Sequence, residues 1–300
     1  MCVLIQCKMK TTDVIDRSQG LNLKTVLDPN AGFCDGASRA ISLVEAYLKE
    51  HDHLYCLGEI VHNEHEVNRL KSMGLEVITP DDLHRIHNSV ILFRAHGEPT
   101  SSFEVAYRNN NLVIDATCPI VRSLQNQIKA SLAKYPTVLL YGKSGHPEVE
   151  AIKGITKNKV VVFDQVDSLD LEQNDSKIQL FSQTTRLSSA LSKVAEELRQ
   201  KGHIVKVNHT TCRKVEDRIN SIKRMALDVD VCIFVADVNS SNGKTLFELC
   251  KKVNPHTFII SDQLEIKKEW FKEYDLVGIT GANSTPLWFL KEVAAYLQSI

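Results

Sequence analysis

The chain has 300 residues, 43% hydrophobic and 24% charged, so it is long enough for a substantial core and is not a disordered protein. Its 36 basic and 37 acidic residues give a formal net charge of -1, which excludes a strongly basic surface for nucleic acid or an anionic membrane. The N-terminal apolar run is too short for a signal peptide, and no later stretch approaches the roughly 20 apolar residues of a membrane span. We therefore expect a cytoplasmic protein that binds neither nucleic acid nor membranes.

The eight cysteines favour metal binding, catalysis or core packing over disulfide bonds in a chain expected to be cytoplasmic. Five of them are interpreted as buried packing residues or as part of the terminal segment. These five are Cys2, Cys7, Cys56, Cys232 and Cys250. The other three, Cys34, Cys118 and Cys212, have a different sequence context.

Each of these three cysteines ends a strand-like or turn segment and begins an amphipathic helical pattern. The start of a helix favours a thiolate, and Pro119, directly after Cys118, is a typical first helical residue. Cys118 lies 84 residues after Cys34, and Cys212 lies 94 residues after Cys118. This regular spacing predicts three similar units.

The elements after each cysteine repeat in the same order: a helix, an apolar strand and a polar loop. The strands are predicted at residues 54–61, 137–141 and 231–236. His62, His146 and Ser240, in the loops after them, each lie 28 residues after the preceding cysteine. Three equal offsets support the threefold interpretation.

A second strand follows in each unit, at residues 90–93, 178–181 and 276–279, and also ends in a polar turn. Alternating strands and helices are typical of parallel α/β units, in which ligands bind beyond the carboxyl ends of the strands. The predicted divisions begin with an N-terminal extension (1–22) and a segment (23–34) that contains a strand of the third unit's sheet and the first of the three cysteines. Three α/β units follow (35–117, 118–208 and 209–300).

Three converging thiolates are compatible with a zinc site, a redox relay or a cubane iron–sulfur cluster. The chain contains no Cys-x-x-Cys motif, so it lacks the closely spaced ligand pairs of ordinary structural zinc sites. A four-iron cluster normally has four cysteine ligands, so three leave one iron free for a substrate oxygen. This difference separates a catalytic cluster from an electron carrier.

The loop side chains suit an anionic ligand rich in oxygen. Compact hydrogen-bond donors, which suit phosphate oxygens, lie in the loops that follow most of the predicted strands. They are His62, His96, His146, Ser240, Asn242 and Ser284. A lone histidine or a Ser-Ser-Asn turn is more often structural, but the shared position at strand ends favours a ligand site. Glu148 is placed to supply a proton, and Thr184 to orient a substrate alcohol.

The short motifs of the chain are, in order, Gly-Phe-Cys34, Val-His62-Asn, Ala-His96-Gly, Asp-Ala-Thr-Cys118-Pro, Gly-His146-Pro-Glu148, Gln-Thr184-Thr, Cys212, Asn-Ser-Ser-Asn242 and Ser284-Thr-Pro. Together they closely resemble the motifs of the 4-hydroxy-3-methylbut-2-enyl diphosphate reductase family over about residues 24–298. Each motif alone is modest evidence, whereas the ordered set is highly specific.

The resemblance implies a trefoil of three pseudo-equivalent α/β units, each with a small, mainly parallel sheet, around a central [4Fe–4S] cluster. It further implies reductive dehydroxylation of the allylic diphosphate to isopentenyl and dimethylallyl diphosphates, with electrons from an external donor such as ferredoxin or flavodoxin. The implied cluster ligands are Cys34, Cys118 and Cys212. The implied substrate-binding residues are His62, His96, His146, Thr184, Ser240, Ser241, Asn242 and Ser284, with Glu148 and Thr184 also catalytic.

The charged segment from Arg213 to Asp217, directly after Cys212, departs from the alanine and threonine usual in that family. Charges this close to a cluster are expected to influence its potential or the pocket wall. Two other functions remain compatible with the sequence: a divergent paralogue that reduces another small diphosphate, and a non-catalytic iron–sulfur sensor or carrier.

Overall fold

The computed structural model describes residues 21–171, 177–237 and 240–300, without the side chains of Ser241 and Asn242. The predicted N-terminal extension lies almost entirely outside these ranges. The strands are β1 (Lys24–Leu27), β2 (Leu54–Leu57), β3 (Leu75–Ile78), β4 (Val90–Phe93), β5 (Leu112–Asp115), β6 (Val138–Tyr141), β7 (Val161–Phe163), β8 (Ile178–Ser182), β9 (Val205–Val207), β10 (Val231–Val235), β11 (Thr257–Ile260) and β12 (Leu276–Gly281).

The helices alternate with these strands along the chain. They are α1 (Asp35–Leu48), α2 (Glu64–Ser72), α3 (Pro80–Leu83), α4 (Thr100–Arg108), α5 (Pro119–Leu132), α6 (Pro147–Ile155), α7 (Ser188–Gln200), α8 (Arg213–Asp228), α9 (Ser241–Val253) and α10 (Leu287–Ser299). None of the helices in the described ranges has both the length and the apolar character that a membrane crossing requires.

The strands form three four-stranded sheets whose strand orders match one another. The orders are β5-β4-β2-β3, β9-β8-β6-β7 and β1-β12-β10-β11. All paired strands run parallel. The predicted α/β class and threefold trefoil architecture are therefore confirmed.

The third sheet takes its edge strand from the other end of the chain. β1 pairs with β12, with Leu27 opposite Ile279. β1 thus occupies the place that β5 and β9 hold in the other two sheets. Parallel pairing requires no direct turn between the partners, so a strand distant in sequence can fill the position. The unit boundaries given above stay a prediction.

Each sheet is covered on both faces, as parallel sheets require. In β10, Ile233 and Val235 pack into one core cluster while Cys232 and Phe234 pack into the cluster on the opposite face. The other two sheets show the same alternation. Because the interior is filled on both sides of every sheet, polar side chains concentrate in the loops beyond the strand ends.

The structure corrects two details of the predicted strands. The strand predicted at residues 54–61 ends at Leu57, since Gly58 adopts a φ of +73°. A Cβ on Gly58 would lie 2.3 Å from Nη1 of Arg94, so the glycine also makes room for that side chain. The sequence analysis also missed β3, β7 and β11, the outer strands that complete the sheets.

Candidate active site

The three cysteines of interest occupy the same structural position, at the N-caps of long helices. Cys34 precedes α1, Cys118 precedes α5 and Cys212 precedes α8, and none of their side chains makes a capping hydrogen bond. The backbone N–H groups at a helix start carry partial positive charge, which favours a thiolate beside them. The three sulfurs therefore share one position relative to the helices that follow them.

The loops after β4, β8 and β12 hold the three cysteines in an equivalent way. Each cysteine N–H donates to the carbonyl of the second residue after one of these strands. The N···O distances are 3.0 Å from Cys118 to Ala95, 2.8 Å from Cys212 to Thr184 and 3.4 Å from Cys34 to Asn283. The threefold repeat thus extends to the hydrogen bonds of the site.

The sulfurs of Cys34 and Cys118 approach a common point beside Gly36. A Cβ built on Gly36 would lie 3.0 Å from Sγ of Cys118 and 3.9 Å from Sγ of Cys34. Burial raises the pKa of the Cys212 thiol, and the charges of Cys34 and Cys118 raise it further. The three thiols are therefore within electrostatic reach of one another, and as thiolates they need a positively charged partner.

Three cysteine thiols are soft donors of the kind that several transition metals prefer. Within the described ranges, no three histidine, cysteine, aspartate or glutamate side chains form a group that could hold a metal ion as they stand. Burial raises the pKa of Cys34, while the N–H groups of Ala37 and Gly36 oppose this rise.

Three predicted histidines lie next to one another, although they come from different loops. The ring centroids are 5.9 Å apart for His62 and His96 and 5.6 Å apart for His96 and His146. Burial lowers the pKa of His96 to about 3 and that of His146 to about 4. Both imidazoles are therefore neutral near pH 7, when fewer than about one ring in a thousand is protonated.

The neutral rings retain hydrogen-bonding capacity for a ligand. The N–H of Glu148 donates to Nδ1 of His146 at 3.2 Å, which leaves the proton of this ring on Nε2 as a donor. Nδ1 of His96 is buried and has no hydrogen-bond partner among the described residues. A buried polar atom without a partner is costly, so a bound ligand is expected to satisfy it.

Glu148 and Thr184 form a buried pair between the start of α6 and the loop after β8. The backbone N–H of Thr184 donates to Oε1 of Glu148 at 2.8 Å, and the Thr184 hydroxyl donates to Oε2 at 2.7 Å. Burial raises the pKa of Glu148, although the two bonds from Thr184 oppose the rise. The Thr184 carbonyl also accepts a hydrogen bond from the Cys212 N–H. Thr184 therefore connects the Glu148 carboxylate to the Cys212 segment.

The remaining predicted ligand residues surround two more helix starts. Ser240 is buried at the N-cap of α9, where its Oγ accepts from the N–H of Gly243 at 3.0 Å, and its hydroxyl proton remains available. Ser284 is half-buried in the turn between β12 and α10. The side chains of Ser241 and Asn242 lie outside the described part of the chain.

Comparison with known proteins assigns the family. The profile of the LytB protein family matches residues 25–298. The chain belongs to this family.

Relatives and solved structures of the LytB family extend along nearly the whole chain. A 4-hydroxy-3-methylbut-2-enyl diphosphate reductase of Parabacteroides distasonis is 41% identical over 285 residues, covering 93% of this chain and 98% of the relative. The reductase of Bacteroides thetaiotaomicron is 37% identical over 285 residues, with 92% and 98% coverage.

Two solved structures share the fold. One, of (E)-4-hydroxy-3-methyl-but-2-enyl diphosphate reductase, the terminal enzyme of the non-mevalonate pathway, has a TM-score of 0.72 and 31% identity over 92% of this chain and 99% of that chain. The Plasmodium falciparum reductase has a TM-score of 0.80 at 24% identity over 92% of this chain and 88% of that chain.

Sequence reasoning missed a buried ion pair that joins two of the cysteine segments. Arg218 on α8 lies 3.3 Å from Asp28 after β1, and it donates to the carbonyl of Gly281 at 2.6 Å. Both side chains are almost fully buried. The available signal was Arg218 itself, a charge on the apolar face formed by Val215 and Ile222.

The unusual charges after Cys212 point toward the surface of this LytB protein. The side chain of Arg213 is 92% exposed, and Lys214 pairs with Asp35 at 3.5 Å on the surface. Solvent screens exposed charges strongly, so their effect on the cysteines is weaker than that of buried groups.

The two buried histidines predict acid sensitivity. Below about pH 6.5 the unfolded chain protonates both rings, whereas the folded chain resists protonation down to about pH 4 at His146 and pH 3 at His96. Because the unfolded state then binds more protons, the free energy of unfolding should fall as pH decreases, by roughly 1 kcal/mol per unit for each ring.

Anaerobic urea unfolding at about pH 7 and about pH 5 measures this dependence. His96→Asn should remove part of the decrease, while His84→Asn, at an exposed position, should leave it intact. Equal pH dependence in all three proteins would contradict the assignment to the buried rings.

Proposed function

We propose that this chain is a 4-hydroxy-3-methylbut-2-enyl diphosphate reductase that forms isopentenyl and dimethylallyl diphosphates. The substrate takes up two electrons and two protons, its C–O bond to the hydroxyl breaks, and water leaves. The observation that carries the proposal is the convergence of three helix-start cysteines. The backbone N–H of one of them, Cys212, donates a hydrogen bond to Thr184 of the buried Glu148–Thr184 pair. The named reductases among the relatives support it.

Cys34, Cys118 and Cys212 would hold a [4Fe–4S] cluster. When bound, such a cluster supplies electrons and one iron without a protein thiolate, at which a substrate oxygen binds. The cysteine segments contribute position: each N-cap is tied by its own N–H to a strand-end loop. The hydrogen bond from the Cys212 N–H to the Thr184 carbonyl supports a role for the Thr184 hydroxyl in orienting the substrate alcohol.

The diphosphate would be bound by hydrogen-bond donors in the loops beyond the strand ends. The proposed residues are His62, His96, His146, Ser240, Ser241, Asn242 and Ser284. Local cations add attraction, since the charges of Lys143, Arg94 and Arg186 act on His146. This arrangement explains how a chain with a net charge of -1 binds an anion: the donors are local and need no basic surface.

Glu148 would deliver a proton toward the leaving hydroxyl. Burial raises the pKa of Glu148, so the protonated carboxyl is present nearer to neutral pH than for an exposed glutamate. Thr184 contacts both carboxyl oxygens and lies between Glu148 and Cys212 in the hydrogen-bond chain. With Glu148 protonated, its O–H would donate to Oγ of Thr184 and the Thr184 hydroxyl would turn to the substrate oxygen, so that one proton passes along this pair.

The electrons would come from an external ferredoxin or flavodoxin, since the sequence carries no flavin or nicotinamide motif. We place the reaction in the cytoplasm, without nucleic-acid or membrane partners. A paralogue acting on another small diphosphate would share the cysteine arrangement and the proton pair. An iron–sulfur sensor or carrier would not need the buried Glu148–Thr184 pair, which favours the enzyme.

The test is anaerobic purification followed by iron and sulfide analysis, a turnover assay and a substrate titration of the cluster's absorption. The reductase is expected to contain about four irons per chain and to release isopentenyl and dimethylallyl diphosphates. Turnover of a different diphosphate alone would identify a paralogue. A cluster whose absorption spectrum does not change when substrate is added would identify a sensor or carrier.

A further inference from the structure

A fully buried carboxylate, Glu66, lies outside the residues used in the proposed reaction. Its Oε2 accepts hydrogen bonds from Nε of Arg69 at 2.9 Å and from Nε1 of Trp288 at 2.8 Å. Its Oε1 accepts from Nη2 of Arg69 at 2.6 Å. Both oxygens are thus satisfied, which is the condition under which a buried carboxylate is tolerated.

The bond between Glu66 and Trp288 joins the two helices that follow candidate diphosphate donors. Glu66 is the third residue of α2, and its backbone N–H donates to the N-cap Asn63, directly after His62, at 2.9 Å. Trp288 is the second residue of α10, four positions after Ser284. One hydrogen bond therefore links the His62 loop to the Ser284 loop.

The same network reaches a third helix and is reinforced by ring contact. Arg69 also donates to Oε1 of Glu45 at 2.7 Å, and Glu45 lies on α1, whose N-cap is Cys34. Beside it, the rings of His65 and Phe289 stack with centroids 4.1 Å apart. The described contacts between α2 and α10 thus include one hydrogen bond and one aromatic stack.

Close packing is incomplete on another side of α2. A cleft of about 380 Å³ is lined by Asn63 and His65 at the start of α2 and by Ser261 and Asp262 after β11. Filled cores resist displacement, whereas an open cleft does not hold its walls at one separation. The start of α2 is therefore not fixed by close packing on this side, and the hydrogen bond to α10 helps to set its position.

We propose that Glu66 and Trp288 are positioning residues that set the spacing between His62 and Ser284 for the diphosphate. The inference rests on the proposed function, because it takes the diphosphate as the ligand of both loops. Donors from two units must reach one anion together, and a small displacement of either loop weakens that joint contact. Glu148 and Thr184 belong to other elements, so proton delivery is unaffected by the spacing.

Trp288→Phe is the test, since it removes the indole N–H and keeps an aromatic ring. The protein with its iron–sulfur cluster in place is assayed anaerobically for KM and kcat, and binding of inorganic diphosphate is measured by calorimetry. We expect KM and the diphosphate Kd to rise about fivefold, which is less than the full effect of losing one hydrogen bond to a charged group because the bond acts on the ligand only through the loops, with kcat unchanged within about twofold. Glu66→Gln, which keeps an acceptor for the indole, should show a smaller rise.

Trp270→Phe is the matched control, because Trp270 is the chain's other tryptophan and stacks on Phe258 at 4.3 Å within the third sheet's core cluster. It should leave both KM and kcat unchanged. A Trp288→Phe protein that binds diphosphate as the unmodified protein does, or that loses kcat with KM unaltered, would overturn the positioning role alone. Failure of the unmodified protein to bind diphosphate would overturn the proposed function as well.

Discussion

Glu148→Gln is expected to lower kcat about a thousandfold while the iron and sulfide content stays that of the unmodified protein. Glutamine preserves the shape and an acceptor for the Thr184 N–H, but an amide cannot serve as a carboxylic acid proton donor. Because burial raises the pKa of Glu148, the lost carboxyl is protonated more readily than an exposed glutamate. The protonation step therefore loses its donor, and the cysteines are untouched.

The measurement is an anaerobic single-turnover and steady-state assay beside iron analysis of the same preparation. Glu150→Gln is the matched control, since Glu150 lies on the same helix but is more exposed and pairs with Lys153 at 3.0 Å. It should change kcat less than about twofold. Undiminished turnover by Glu148→Gln would remove Glu148 from proton delivery and leave the rest of the proposed site standing.

Replacing any one of Cys34, Cys118 or Cys212 by serine should abolish stable cluster binding and lower turnover about a hundredfold or more. Each cysteine stands at the N-terminal end of a different helix and would bind a different iron, so no neighbouring thiol can substitute for it. The three variants should therefore behave alike, with loss of iron, of visible absorption and of product formation.

Cys232→Ala provides the control for the cysteine series. Cys232 is fully buried in β10 within a core cluster, so its loss should cost about 1 kcal/mol of stability and leave the iron content unchanged. Iron analysis and the absorption spectrum of all four variants give the comparison. Full iron retention by Cys118→Ser, for example, would contradict a shared cluster.

The repeat was visible in the sequence because it is encoded by local chemistry. Helix-start residues around Cys118 and short apolar strands recur at similar spacing, and parallel α/β sheets place such loops at their carboxyl ends. The strands β3, β7 and β11 were not recognised, because a short strand at a sheet edge is defined by its pairing and not by a distinctive local pattern. Their positions follow only from pairing with a central strand.

The candidate site divides in the same way between local and long-range information. The loops bearing His62, His146 and Ser240 could be predicted from equal offsets along the chain. The adjacency of His96 to its neighbours and the Glu148–Thr184 bonds could not, because they join residues from separate loops. Burial, which lowers the pKa of His96 and raises that of Glu148, likewise exists only after the units pack.

The amino-acid sequence by itself determined the class of fold, the three helix-start cysteines and the polar character of the loops, since these depend on residue type and short-range spacing. Tertiary structure alone decided that Glu66 meets Trp288 and that Arg218 pairs with Asp28. Each of these contacts joins residues far apart in the chain, and no local preference selects such a partner. Their energies depend on burial, which only the packed units provide.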